Sequence, residues 1–167
     1  KALCDKGLIE KIQKSVDRGL ELIDPEEYSS GEQRPLVLSE EQSAAYRTLC
    51  ELIDSGEPRA ALLHGVTGSG KTEVFLRAIE HTVNMGRSAL VLVPEISLTP
   101  QMVSRFVGRF GKRIAILHSG LSLGERYDQW SRIMNNEADI VIGARSAVFA
   151  PLTNIGIIII DEEHSDT

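Results

Sequence analysis

The sequence predicts an α/β protein built on a doubly wound parallel sheet. Short apolar runs alternate with amphipathic helical segments from about residue 36 onward, which is the pattern of a sheet with helices packed on its faces. Ser88 to Val93 and Ile155 to Ile160 are continuously apolar, as strands covered on both sides must be. A third run, Arg59 to Leu63, is a predicted strand that enters a glycine-rich turn opening directly into a helical pattern. In such sheets ligands gather where the strands end at their carboxyl termini.

Each element has its own signal. Ser39 to Gly56 is a predicted helix: Ser39 is its cap, Gln42 sits at the capping-box position, Tyr46, Leu49, Cys50 and Ile53 form one face, and Gly56 closes it. The helix after Lys71 carries Val74, Phe75, Ala78, Ile79 and Val83 on one broad face and ends at Gly86. Thr99-Pro100 is a cap followed by proline at the first helical position, opening a helix with Met102, Val103, Phe106, Val107 and Phe110 inward and Gly111 at its end. Arg113 to Leu117 is a strand. Ser122-Leu123-Gly124-Glu125 is a capping box for a helix whose apolar residues are Tyr127, Trp130, Ile133 and Met134. Asp139 to Ile142 and Ile155 to Ile160 complete the strands. Residues 1–35 differ: Leu8 to Lys14 alternates like a half-exposed strand, and Asp24 to Pro35 is a polar stretch broken by proline and glycine, hence a linker.

Composition narrows the function classes. The chain has 167 residues, enough for one full core, with 42% hydrophobic and 25% charged residues, as in ordinary globular proteins. No apolar run is long enough to span a membrane as a helix, so no membrane partner is expected. Cys4 and Cys50 lack metal-like spacing and fit reduced thiols of a cytoplasmic protein. His64, His81 and His118 also lack ligand spacing and are taken as structural. The net charge of −6 argues against a strong free-standing nucleic-acid binder, because phosphate neutralisation supplies much of such affinity. Lys1 in place of Met points to a piece of a longer chain.

Gly65 to Thr72 fits G-x-x-x-x-G-K-[ST], the phosphate-binding loop. Gly65, Gly68 and Gly70 are expected to take positive φ and turn backbone N–H groups toward an anion, together with Thr67 and Ser69. The following helix adds the positive end of its dipole. Lys71 can reach the β- and γ-phosphates of ATP, and the Thr72 hydroxyl can hold Mg2+. A mere tight turn would leave the strand, the helix and both polar residues to coincidence.

Four branched apolar residues, Ile157 to Ile160, predict a central strand that runs straight into Asp161-Glu162-Glu163-His164. Acids at that strand end share an edge with the phosphate loop, so Asp161 is assigned to Mg2+ and Glu162 to polarising an attacking water. Alone, the same cluster would suit a solvated strand end.

These two segments resemble motifs I and II of superfamily 2 helicases, whose first RecA-like domain is a P-loop NTPase fold. The resemblance covers about Leu36 to His164. Within that superfamily, His64 to Val74, Val93 to Gln101, His118 to Ser122, Gly143 to Pro151 and Asp161 to His164 resemble in order the blocks of bacterial replication-restart helicases. Several expectations follow from the resemblance alone. The chain would be the ATP-binding domain of a 3′-to-5′ DNA helicase that acts on forked and single-stranded DNA and assembles with replication-restart and replisome proteins. Ser97, Thr99, Arg145 and Ser146 would contact DNA; Thr99 is also a good helix cap, and Ser146 could simply close a turn. Gln42 would read adenine, although the capping box explains it equally well. His164 would couple hydrolysis to the DNA side, or be an ordinary surface histidine. Leu3 to Val16 would be the tail of a winged-helix domain, making 1–35 that tail plus linker and 36–167 the RecA-like domain, ended just after motif II. The second RecA-like domain with its arginine finger, and a cysteine-rich zinc module, would belong to the parent. The alternatives are another superfamily 2 DNA translocase, a P-loop kinase or switch NTPase, and a nucleotide-gated protein-binding module.

Overall fold

The computed structural model describes residues 37–161. The expectations for residues 1–35, and those for Glu162, Glu163 and His164, lie outside that range. Four helices and four strands follow in the order α1 (Glu40–Asp54), α2 (Lys71–Asn84), β1 (Ser88–Leu92), α3 (Pro100–Phe110), β2 (Ile114–Leu117), α4 (Leu123–Met134), β3 (Ile140–Gly143) and β4 (Ile155–Ile160). Single 3-10 turns at Glu95–Ser97, Gly111–Arg113 and Arg145–Phe149 fill three of the connections.

The caps form as their sequences dictate. Ser39 and Gln42 bond reciprocally at the start of α1, and Ser122 and Glu125 do the same at α4. Thr99 accepts from the Met102 N–H ahead of Pro100, which gives up no helical hydrogen bond at that position.

All four strands are parallel, in the order β2-β3-β1-β4. Leu92 stands opposite both Gly143 and Ile160, and Gly143 opposite Leu117. The strands therefore end in line, and every connecting loop at their carboxyl ends leaves from one edge. Pleating divides the residues between two cores. Ala89, Val91, Ile114, Ile140, Ile142 and Ile159 meet Leu76, Ile79 and Val83 of α2 and Phe106 and Phe110 of α3. Leu90, Ala115, Leu117 and Val141 meet Leu121, Ile133, Ala138 and Ala147 on the other face. The sheet is thus doubly wound, as the sequence predicts.

Three expectations need correction. Arg59 to Leu63 forms no strand; it is an irregular segment in which Leu62 is 80% exposed. β4, expected at the centre, is the last strand of the sheet, and Ile158 and Ile160 on one of its faces are largely exposed. The common reason is that the 59–63 run and β4 border the same cleft without pairing to each other, so apolar sequence there does not translate into burial among the described residues. The third correction is α4: Tyr127 and Met134 are exposed, whereas Gln129 and Arg132 are buried beside Ile133. The Gln129 side-chain oxygen accepts from the Ile116 N–H at 3.2 Å and from Arg132 at 3.1 Å, and Arg132 donates to the Lys112 carbonyl at 2.5 Å. A buried polar pair thereby satisfies the Ile116 N–H on the outer edge of β2, which no strand covers among the described residues.

Gly143 marks the tightest point of the sheet edge. A Cβ there would lie 2.2 Å from the Leu117 carbonyl oxygen and 2.7 Å from the Ala147 Cβ, both fixed parts of the core. Gly143→Ala is therefore expected to lower stability by about 1–3 kcal/mol, read as a reduced midpoint in urea denaturation with the slope unchanged.

Candidate functional site

The loop from Gly65 to Lys71 turns through two left-handed glycines, Gly68 at φ 80° and Gly70 at φ 83°. Gly65 differs from expectation: it has no positive φ, and a Cβ there would sit 2.7 Å from the Ser69 hydroxyl, a side-chain end that can turn aside. Ser69 N–H closes the turn on the Val66 carbonyl at 3.2 Å, and Gly70 caps α2 without a side chain. Lys71 and Thr72 are the first two residues of α2, so the free N–H end of that helix faces the loop.

The loop is tethered at two points. Gln42 completes the α1 cap through its oxygen, which accepts from Ser39 N–H at 2.9 Å, and its amide nitrogen donates to the Ser69 carbonyl at 2.9 Å. One side chain thus fixes a helix start and the phosphate-loop candidate together. Lys71 folds back so that its ammonium donates to the carbonyls of Gly65 at 2.5 Å and Val66 at 3.1 Å.

Asp161, the residue just past β4, anchors its N–H on the Leu92 carbonyl at 3.0 Å. It lines the same cleft as Gly65, Thr67, Gly68, Gly70, Lys71 and Thr72. Glu162 and His164 are outside the described residues.

The remaining candidates emerge from the neighbouring strands β1 and β3. Ser97 is half-buried in the 3-10 turn after β1, and Thr99 is the exposed cap of α3. Arg145 and Ser146 open the exposed turn after β3, which is held down by the fully buried Ala147. Among the histidines, His81 pairs with Asp54 at 2.7 Å and ties α2 to α1, while His118 accepts the Gly120 N–H on Nδ1 at 3.2 Å.

Two acidic side chains, Glu73 and Glu95, anchor contacts that mostly have no local sequence signal. Glu73, one residue beyond Thr72, takes Arg77 from its own helix and Arg109 from the end of α3, both at 2.9 Å; Arg109 also reaches Glu80 at 2.7 Å. Glu95 accepts from both the N–H and the hydroxyl of Ser119, across from the loop after β2. An i,i+4 spacing announces the Glu73–Arg77 pair; nothing in one dimension announces the others.

With this geometry in view, the comparisons are specific. Residues 39–165 match the DEAD/DEAH box helicase family, and the chain belongs to that family. It is 52% identical over 168 residues to replication restart protein PriA of Bacillus subtilis, spanning all of this chain and 20% of that protein. It is 58% identical over 106 residues to PriA of Synechocystis, covering 64% of this chain and 13% of the relative. The chain thus spans about a fifth or less of these relatives. Among solved structures, RecG bound to a three-way DNA junction superposes with a TM-score of 0.70 at 30% identity, covering 85% of this chain and 20% of that one. The fold is accordingly the α/β RecA-like domain of such helicases.

Glu73 makes the site's electrostatics testable. Burial alone would raise its pKa, but the hydrogen bonds and charges of Arg77 and Arg109 outweigh it and hold the carboxyl below the usual glutamate range. The folded protein then binds fewer protons than the unfolded chain between the lowered and the ordinary value. The resulting stabilisation is complete above the ordinary value and is lost as pH falls through the lowered one. Glu73→Gln should therefore flatten the acid limb of a curve of urea midpoint against pH.

Proposed function

We propose that this chain is the ATP-binding domain of a DNA helicase that moves 3′-to-5′ and restarts stalled replication forks. The observation that carries the reading is the common cleft of Lys71, Thr72 and Asp161 on the sheet edge from which Ser97, Thr99, Arg145 and Ser146 also emerge. The donor set fits magnesium ATP: an ammonium, a hydroxyl, a carboxylate and a loop whose glycines leave room for an anion.

Bound magnesium ATP supplies the scissile anhydride and the metal charge that eases its cleavage. Thr72 and Asp161 would hold the metal, and Lys71 would exchange its two carbonyl partners for phosphate oxygens. Gly68, Ser69 and Gly70 cradle the phosphates, with Gly65 and Thr67 shaping the loop's entry. Gln42 retains one further N–H and one further lone pair beyond its present bonds, the pair that a bidentate contact to adenine uses. Glu162 orients the water, and His164 relays the nucleotide state toward the DNA edge. An arginine finger from a second RecA-like domain contributes about 10³–10⁵ in rate in related hydrolases, so full turnover is assigned to the whole protein. Residues 1–35 serve as the end of a winged-helix domain and its linker, and 36–167 as the first RecA-like domain. Zinc, forked DNA and the replication-restart and replisome proteins are assigned to the whole protein, which works in the cytoplasm.

A second reading, a branched-DNA translocase, rests on the RecG superposition. Forked DNA against blunt duplex as activator of hydrolysis by the full-length protein separates the two. Lys71→Ala tests the shared chemistry: DNA-stimulated hydrolysis should fall about a hundredfold or more, with the fold retained by circular dichroism. Unchanged hydrolysis would remove the nucleotide assignment.

A further inference from the structure

An acidic side chain on an edge that handles a polyanion calls for an explanation, and Glu95 is such a side chain. It opens the turn that leads from β1 to Ser97 and Thr99, a turn that buries none of its three residues. Ile96 within it is 88% exposed, so packing fixes the turn only at its far end, where Leu98 lies against the core. The carboxylate supplies what packing does not. One of its oxygens accepts the Ser119 N–H at 3.0 Å and also the Ser119 hydroxyl.

The partner loop is well anchored. His118 to Ser122 leaves β2, bonds to itself through Gly120 and His118, and sinks Leu121 into the core beside Ile133 and Ala147. β1 and β2 are not neighbours, because β3 lies between them. The Glu95–Ser119 contact therefore bridges over the end of β3, from which the Arg145 and Ser146 turn departs. That turn is itself tied to the same place, Ala144 N–H donating to the Leu117 carbonyl at 3.2 Å. The two bonds from Ser119 also hold the Glu95 carboxyl below the usual glutamate range.

We infer that Glu95 is a positioning residue for single-stranded DNA: by gathering both Ser119 donors it locks the loops after β1 and β2 across β3, so that Ser97, Thr99, Arg145 and Ser146 present one continuous grip. The inference rests on the proposal that this edge binds DNA. It also inverts the expectation from charge. A carboxylate near phosphates opposes binding, so electrostatics alone has its removal tighten the complex. Positioning has removal loosen it.

The test is anisotropy of a labelled oligothymidylate with the full-length protein, over a range of salt. Glu95→Ala should weaken binding about tenfold, the scale of one to two ordinary hydrogen bonds at an exposed site, and reduce the slope of log K against log[salt] by about one phosphate contact. Glu95→Gln, whose amide oxygen can still accept from Ser119, should stay within about twofold. Affinity for a fluorescent ATP analogue should be unchanged in both. If Glu95→Ala is poorly folded, Ser119→Ala removes the hydroxyl donor alone and should weaken binding about threefold. Equal or tighter DNA binding by Glu95→Ala or Ser119→Ala, with the unsubstituted protein binding normally, would overturn the positioning role and leave the helicase reading intact. Failure of the unsubstituted protein to bind the oligonucleotide would overturn both.

Discussion

In-line termination of a parallel sheet is the constraint from which the rest of this structure follows. Parallel pairing with the register Leu92–Gly143–Leu117 and Leu92–Ile160 brings four strand ends to one edge without any contribution from the loops themselves. The pairing can hold only if both faces are covered, since every residue of β3 is buried. Helices α2 and α3 cover one face and α4 with the turn after β3 covers the other. Gly143 is where this constraint is sharpest, because its missing Cβ lets the Leu117 carbonyl come close enough for the loops after β2 and β3 to interlock.

The nucleotide candidate is held differently. Its loop follows a segment that is not hydrogen-bonded into the sheet among the described residues, so within them its position depends on side chains: Gln42 from α1, Lys71 folded onto its own loop, and the Glu73–Arg109 pair that fastens α2 to α3. α1 in turn is joined to α2 by His81–Asp54 and to the strand entry by Arg87, which donates to the Ile53 carbonyl at 2.9 Å. Substitutions in these tethers would act on the loop as directly as changes in its glycines.

What the sequence reveals and what it hides divides along the range of the forces involved. Caps are legible because Ser39 with Gln42, Thr99 with Pro100 and Ser122 with Glu125 act within one helical turn. The phosphate-loop candidate is legible because its backbone demands glycine at the left-handed Gly68 and Gly70, although Gly65 makes no such demand through φ. The buried face of α4 is illegible because Gln129 and Arg132 answer an unpaired strand edge that exists only in three dimensions. β4 misleads for the opposite reason: four consecutive isoleucines encode a covered strand, yet one of its edges and one of its faces border open cleft among the described residues.

The acidic balance of the chain, −6 overall, need not oppose a phosphate-binding edge when the acids near it are already engaged. Glu73 and Glu80 are met by Arg77 and Arg109, Asp139 by Arg113 at the far end of β2 and β3, and Glu95 by the Ser119 donors. A carboxylate with its lone pairs occupied still carries charge, but at the ionic strength of a cell that charge is screened within about 8 Å when exposed. Contacts made by hydroxyls and backbone N–H groups act at hydrogen-bond range, well inside that distance. An edge of this kind can favour an anion locally while the molecule as a whole repels it, and its selectivity then depends on how rigidly the loops hold their donors rather than on how many cations they carry.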